Sequence, residues 1–248
     1  MIGLVQQATI VTGTPWSGSA TATISFPGNL TPGNFVAVVF TLQSNRSVVG
    51  VTDGGNTYAT DASVSNIAGP GQELWIYWAP VTSAQGTISI ELDTSNGSLG
   101  FIKAWEFSEI DNDDMFEDGS SLSSGVAITA WNSGAVTTAI ADSLIVGILS
   151  TGNFSLTGDD DYETEAIGQA GCDGLVGYKI LTATEAAEEW NVTLGGGGAS
   201  GAIVIAAFNG LGGGVGPTLP WLPRQTNLSG PTGAQMLPGG MRPPNKPS

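Results

Sequence analysis

Apolar positions along this chain fall in short runs rich in β-branched and aromatic residues, separated by Gly, Asn, Asp and Pro. Such runs read as strands. Only TATEAAEEW (182–190) offers helical periodicity, enough for one or two turns. In ELWIYWAP (73–80), Leu74, Ile76 and Trp78 fall on one face and Trp75 and Tyr77 on the other. A strand apolar on both faces is expected to be central and covered twice. The alternative, Trp75 and Tyr77 as an exposed sugar-stacking platform, is the rarer use of such a pair. Spacing of about 8 to 15 residues between strands predicts an all-β chain, an antiparallel sandwich of jelly-roll kind.

The pattern repeats. GNFVAVVFTLQSN (33–45) matches ADSLIVGILSTGN (141–153), and VTDGGNTYAT (51–60) matches LTGDDDYET (156–164). ELWIYWAP then matches GLVGYKIL (174–181), setting Tyr77 over Tyr178, and TISIEL (87–92) matches WNVTL (190–194). GFIKAWEFSEI (100–110) matches GAIVIAAFNGL (201–211), setting Phe107 over Phe208. The same order of elements in both parts predicts a duplicated sandwich. Its halves are expected at about 17–112 and 120–212 of a 17–212 body, after an N-terminal segment over 1–16, either interleaved or packed face to face.

Composition narrows the chemistry. The 248 residues are 41% apolar, enough for a substantial core. A formal charge of −16 disfavours nucleic acid and anionic membranes as partners. With no histidine, Ser-His-Asp and Cys-His catalysis are excluded. Cys172 stands alone, so no disulfide forms within the chain, which suits a reducing cytoplasm, and no cation lies nearby in sequence to activate it. The start MIGLVQQATIVTG does not read as a signal peptide, and no apolar run reaches membrane-spanning length. Six N-x-S/T sequons, from Asn29, Asn45, Asn96, Asn153, Asn191 and Asn227, read as chance in so Asn-, Ser- and Thr-rich a chain.

Beyond GLGGGVG (210–216), a hinge by composition, the chain changes character. Residues 217–248 hold 8 of the 13 prolines, no acidic residue, and Arg224, Arg242 and Lys246. That segment carries +3 and the remainder −19, from 3 basic against 22 acidic residues. Polyproline geometry lets such an arm reach on the order of 100 Å. We therefore expect 213–248 to be an extended arm that docks on neighbouring subunits. Leu219, Trp221, Leu222, Met236, Leu237 and Met241 would serve as apolar pegs, with Arg224, Arg242 and Lys246 facing acidic surface.

Two acidic runs remain, EFSEIDNDDMFED (106–118) with seven carboxylates and DDDYETE (159–165) with five. Asp111, Asp113, Asp114, Asp159, Asp160 and Asp161 are weak Ca²⁺ candidates, because the spacing is not that of an EF-hand and solvated loops are the simpler reading. Glu106 stands within a strand run where the second half has Ala207; capping a loop or pairing with Lys103 is its expected use. GGGG (195–198) lacks the Lys-Ser/Thr of a phosphate loop and reads as a turn.

VTDGGNTYATDASV, ELWIYWAPV, TISIEL and GFIKAWEFSEI, followed by ADSLIVGIL, GLVGYKIL and SGAIVIAAFNG, resemble the two parts of a β-sandwich module. That module recurs in tailed-phage virion proteins and some bacterial surface proteins. The resemblance covers roughly 17–212 and implies no catalytic residues or cofactor. It implies a virion structural protein made in the host cytoplasm, decorating or cementing a capsid as a homo-oligomer, a trimer being one form, bound to the major capsid or another virion protein. The alternative is a tail-fibre or receptor-binding module that grips glycans. A glycan-cleaving enzyme using two carboxylates ranks third.

Overall fold

The computed structural model describes residues 1–42, 46–65, 67–69, 72–93, 99–152, 155–158, 161–168, 172–195 and 197–211. The expected arm, with Leu219, Trp221, Leu222, Arg224, Met236, Leu237, Met241, Arg242 and Lys246, lies outside them, as do Asp159 and Asp160.

The described residues form an all-β, antiparallel structure. The first half holds β1 (Gly3–Gln7), β2 (Val11–Gly13), β3 (Thr21–Ser25), β4 (Phe35–Leu42), β5 (Val48–Thr52), β6 (Ile67–Gly69), β7 (Gln72–Pro80), β8 (Thr87–Leu92) and β9 (Gly100–Ser108). The second holds β10 (Phe116–Ile128), β11 (Ala130–Asn132), β12 (Leu144–Thr151), β13 (Ser155–Gly158), β14 (Glu163–Ile167), β15 (Asp173–Ile180), β16 (Asn191–Gly195) and β17 (Ala199–Phe208). β1 and β2 both pair with β9, so the first residues of the chain belong to the first half's large sheet.

Each half is a sandwich. A large sheet ordered β1-β9-β4-β7-β6 faces a small one ordered β3-β8-β5, and β10-β17-β12-β15-β14 faces β11-β16-β13. In both, the first strand lies beside the last and the central strand beside that, the wrapping of a jelly roll. Local details repeat as well. Gly33 (φ 96°) and Asp142 (φ 63°) are left-handed just before β4 and β12. The following Asn34 and Ser143 carbonyls each accept a bond of 2.8 Å, from Val81 and Leu181. A Cβ on Gly100 would collide with the Thr41 carbonyl, and one on Gly201 with that of Ser150, so both last strands carry near their start a glycine that lets two backbones close up.

The two large sheets pack against each other, giving four layers. The central core joins Phe35, Ala37, Val39, Leu74, Ile76, Trp78, Trp105 and Phe107 to Leu144, Val146, Ile148, Val176, Val204, Ala206 and Phe208. Separate cores lie between large and small sheets, one around Trp16, Phe40 and Ile90, the other around Trp131, Trp190 and Ile205. Double coverage explains why β4 and β12 are buried at every position. It also places Trp75 and Tyr77, which stack with Phe40 at 6.1 and 5.9 Å beside the first half's own core, so they are packing residues rather than an open platform.

The register fixes the pairing between halves. Phe35 lies opposite Phe107 and Leu144 opposite Phe208, so Phe107 and Phe208 are equivalent. Ala37 lies opposite Trp78 and Val146 opposite Tyr178, which makes Trp78, not Tyr77, the counterpart of Tyr178. A one-residue slip would turn each of these side chains to the other face of its sheet. Phe107 meets Tyr178 edge-on (5.1 Å, 71°), and Phe208 meets Trp78 edge-on (5.2 Å, 68°). The same contact is made twice, as about a two-fold axis.

TATEAAEEW, expected to offer a helical turn, is an irregular, bent segment instead: Val136 and Glu188 exchange two 2.9 Å backbone bonds, and Thr138 donates to the Glu185 carbonyl at 2.8 Å. These bonds use backbone groups that a helix would need.

Phe208 touches Phe35, Trp78 and Phe116 at the centre of the inter-sheet core. Phe208→Ala should lower stability by about 3–5 kcal/mol. Urea denaturation would show it; a loss below about 1 kcal/mol would mean that the two halves do not depend on this contact.

Candidate functional site

A two-fold arrangement makes two seams where the large sheets meet, and they differ. Phe116 pairs with Phe208 as Leu4 pairs with Phe107, so Phe116 and Leu4 are counterparts. On its side Phe116 stacks on Trp78 at 4.8 Å and 8° and closes the seam. On the other side the shorter Leu4 is 36% exposed, and the equivalent strip beside Tyr178 stays open.

The open seam is a groove. A cleft of about 190 Å³ is lined by Gln7, Trp105, Glu163, Thr164, Glu165, Val176 and Tyr178. A wider depression of about 550 Å³ continues it past Leu4, Asp161, Glu163, Tyr178, Lys179 and Ile180. Alternation on β14 places Glu163 and Glu165 on one face. Tyr178 forms the apolar wall, standing edge-on to Trp105 (6.2 Å, 69°). Burial, and then the charge of Glu163, raise its phenol pKa, so the hydroxyl remains a neutral donor and acceptor.

Two lysines set the charge of this wall. Lys103, on the core-facing side of β9, has 3% of its side chain exposed and pairs at 2.7 Å with Glu165, whose side chain is 49% exposed. Lys103 also lies 5.8 Å from the Trp105 ring centre. Of the two uses expected for Glu106, pairing with Lys103 is not the one it makes, since residues three apart on a strand point to opposite faces. Lys179 binds Glu188 at 2.9 Å and lies 3.7 Å from Asp161. The groove thus offers carboxylate acceptors beside an aromatic and aliphatic wall, chemistry suited to hydroxyl-rich or cationic groups.

The remaining acidic candidates are dispersed. Glu106 is fully buried and caps a loop, accepting from Gln6 Nε2 (2.6 Å), Thr31 N (2.7 Å) and Asn34 Nδ2 (2.6 Å). Asp111 accepts from the Asp113 amide at 3.0 Å within a turn, beside Asp114. Glu117 accepts from the Ala139 amide, and Asp118 from that of Thr137 at 3.0 Å. Among the described residues no three His, Cys, Asp or Glu side chains gather as metal ligands. Cys172 is buried, with its pKa raised by burial. Among the described residues no helix is long and apolar enough to cross a membrane.

Gln7, Glu163, Glu165 and Tyr178 were missed as a group by sequence reasoning, and so was Glu73. Glu73, at the start of β7, is 8% exposed, and its Oε2 is among the buried atoms without a partner. Burial pushes its pKa up from 4.5 to about 7, against the lowering effect of the Arg46 amide. A raised acid holds its proton in the folded state, so its contribution is fully present below pH 4.5 and is lost as pH rises through about 7. Relative to Glu73→Gln, the natural chain should therefore lose on the order of 1–2 kcal/mol between those limits. Urea midpoints at both ends test this, and parallel pH curves for the two proteins would refute it.

Glu165→Gln strips a buried ammonium of its ion-pair partner and should cost on the order of 2 kcal/mol, whereas Lys103→Met removes the buried charge and should cost less. The same measurement with the order reversed would show that Lys103 does not need Glu165. No family model, curated protein or solved structure matches the chain.

Proposed function

We propose that this chain is a non-enzymatic structural protein of a tailed-phage virion, most simply a capsid decoration or cement protein whose C-terminal arm binds neighbouring subunits. The observation that carries the reading is the division of charge. A body of −19 ends in a Gly-rich hinge and a proline-rich arm of +3. Opposite charges on the two parts favour docking of one copy's arm on acidic surface elsewhere, and proline reduces the entropy lost when the arm is laid down. The doubly covered sandwich supports the same role, since a body cored on both faces of its large sheets is a firm mount for a reaching segment. Many weak contacts in a symmetric shell then add by avidity.

A second reading, a tail-fibre or receptor-binding module, is favoured by the groove beside Tyr178, Glu163 and Glu165. Its carboxylates and aromatic wall are the groups that hydrogen-bond and stack on sugars.

Deleting residues 213–248 should leave a folded, soluble body that no longer joins its particle. Quantifying the protein in purified particles decides between the readings: hundreds of copies fit decoration, and a few copies with glycan affinity fit the tail. Unchanged incorporation of the truncated protein would remove the arm from the assembly.

A further inference from the structure

Sheet edges expose unpaired backbone groups, and proteins limit them by keeping edge strands short, charged or bulged. Among the described residues, eight edge strands obey. β1, β2, β3, β5, β6, β11, β13 and β14 have five residues or fewer. β14 adds Glu163 and Glu165, and β1 and β5 are bulged. β10 does not obey: it has 13 residues. Its ladder with β17 is regular from Asp118 to Ser124, with irregularities only at either end.

The sequence of that edge is as unusual as its length. Residues 119–128, GSSLSSGVAI, contain neither charge nor proline in a chain with 22 acidic residues. Asp118 is held by its own chain, accepting from the Gly119 and Thr137 amides. Ser121, Leu122 and Ser123 are exposed, Leu122 by 40%, and Val126 by 71%. Among the described residues, the backbone bond partners of 120–124 lie on β17.

We propose that the outer edge of β10 pairs antiparallel with β10 of a second copy, joining two large sheets across a two-fold axis. Antiparallel pairing of identical edges is self-complementary, so one strand supplies both sides. Charge selects a second copy as the occupant: two molecules of −16 repel, and this is the long edge at which they meet without opposing carboxylates. Leu122 is then covered across the axis. The pairing deepens the structural-protein reading by naming where copies meet, and it does not use the C-terminal arm.

The test measures the mass of the full chain by light scattering during gel filtration, beside Leu122→Lys/Ser123→Lys and the 213–248 deletion. The full chain and the deletion should run as dimers, and the lysine variant at half that mass with unchanged circular dichroism. A monomeric or trimeric full chain overturns the proposal, as does a lysine variant that stays dimeric. A monomeric deletion beside a dimeric lysine variant would instead assign association to the arm. Should the lysine variant not fold, amide exchange of the natural chain decides. Residues 119–124 should gain protection as concentration rises, and concentration-independent exchange there refutes the pairing.

Discussion

The fold depends on burying both faces of two large sheets at once. A single half, closed by its three-stranded sheet, would still present Phe35, Ile76, Trp78, Trp105 and Phe107 on its open face. Such an apolar area is costly in water, at roughly 25 cal/mol per Å², and the matching surface of a second, related half removes it. Duplication supplies that surface on the same chain, and the repeated Phe–Tyr and Phe–Trp contacts about a two-fold axis are what two copies of one module make when joined face to face. Tethering makes this pairing intramolecular, so it does not require a high concentration of the protein.

The same constraint explains the buried polar groups. Central strands covered on both sides have no wet face, so any polar side chain they carry needs a partner from a loop or from the opposite sheet. Glu106 meets this with three donors from the first half itself, Gln6 on β1 and Thr31 and Asn34 in the loop before β4. Lys103 reaches through the seam to β14, and Gln72 donates to the Thr151 carbonyl of the other half at 2.6 Å. Polar contacts of this kind specify one way of docking the halves, while the apolar core supplies most of the stabilisation.

What the sequence made legible follows from that burial. Doubly covered strands are continuous apolar runs, so β4, β7, β9, β12, β15 and β17 stood out, and the duplication with them. The same feature hid the register: in ELWIYWAP both faces are apolar, no polar residue marks the parity, and Tyr77 could be set where Trp78 belongs. β10 was illegible because FEDGSSLSSGVAI has the composition of a loop and its strand character comes from the ladder with β17. The groove was illegible for another reason. Leu4, Gln7, Trp105, Glu163 and Tyr178 are far apart in the chain and meet only once the two sheets are stacked.

Duplication also explains where function can arise. In a symmetric pair of halves, a feature needed for packing occurs twice, as the Gly100 and Gly201 close approaches do. Features present once have escaped that requirement. Phe116 seals one seam while Leu4 leaves the other open, and a 13-residue β10 stands where the first half has the short, bulged β1 and the separate β2. Each departure leaves the central core intact, because both lie at the margins of the stacked sheets and not beneath them. The molecule can therefore present two unlike surfaces, a groove lined by carboxylates and an uncharged edge, from two halves that share one architecture.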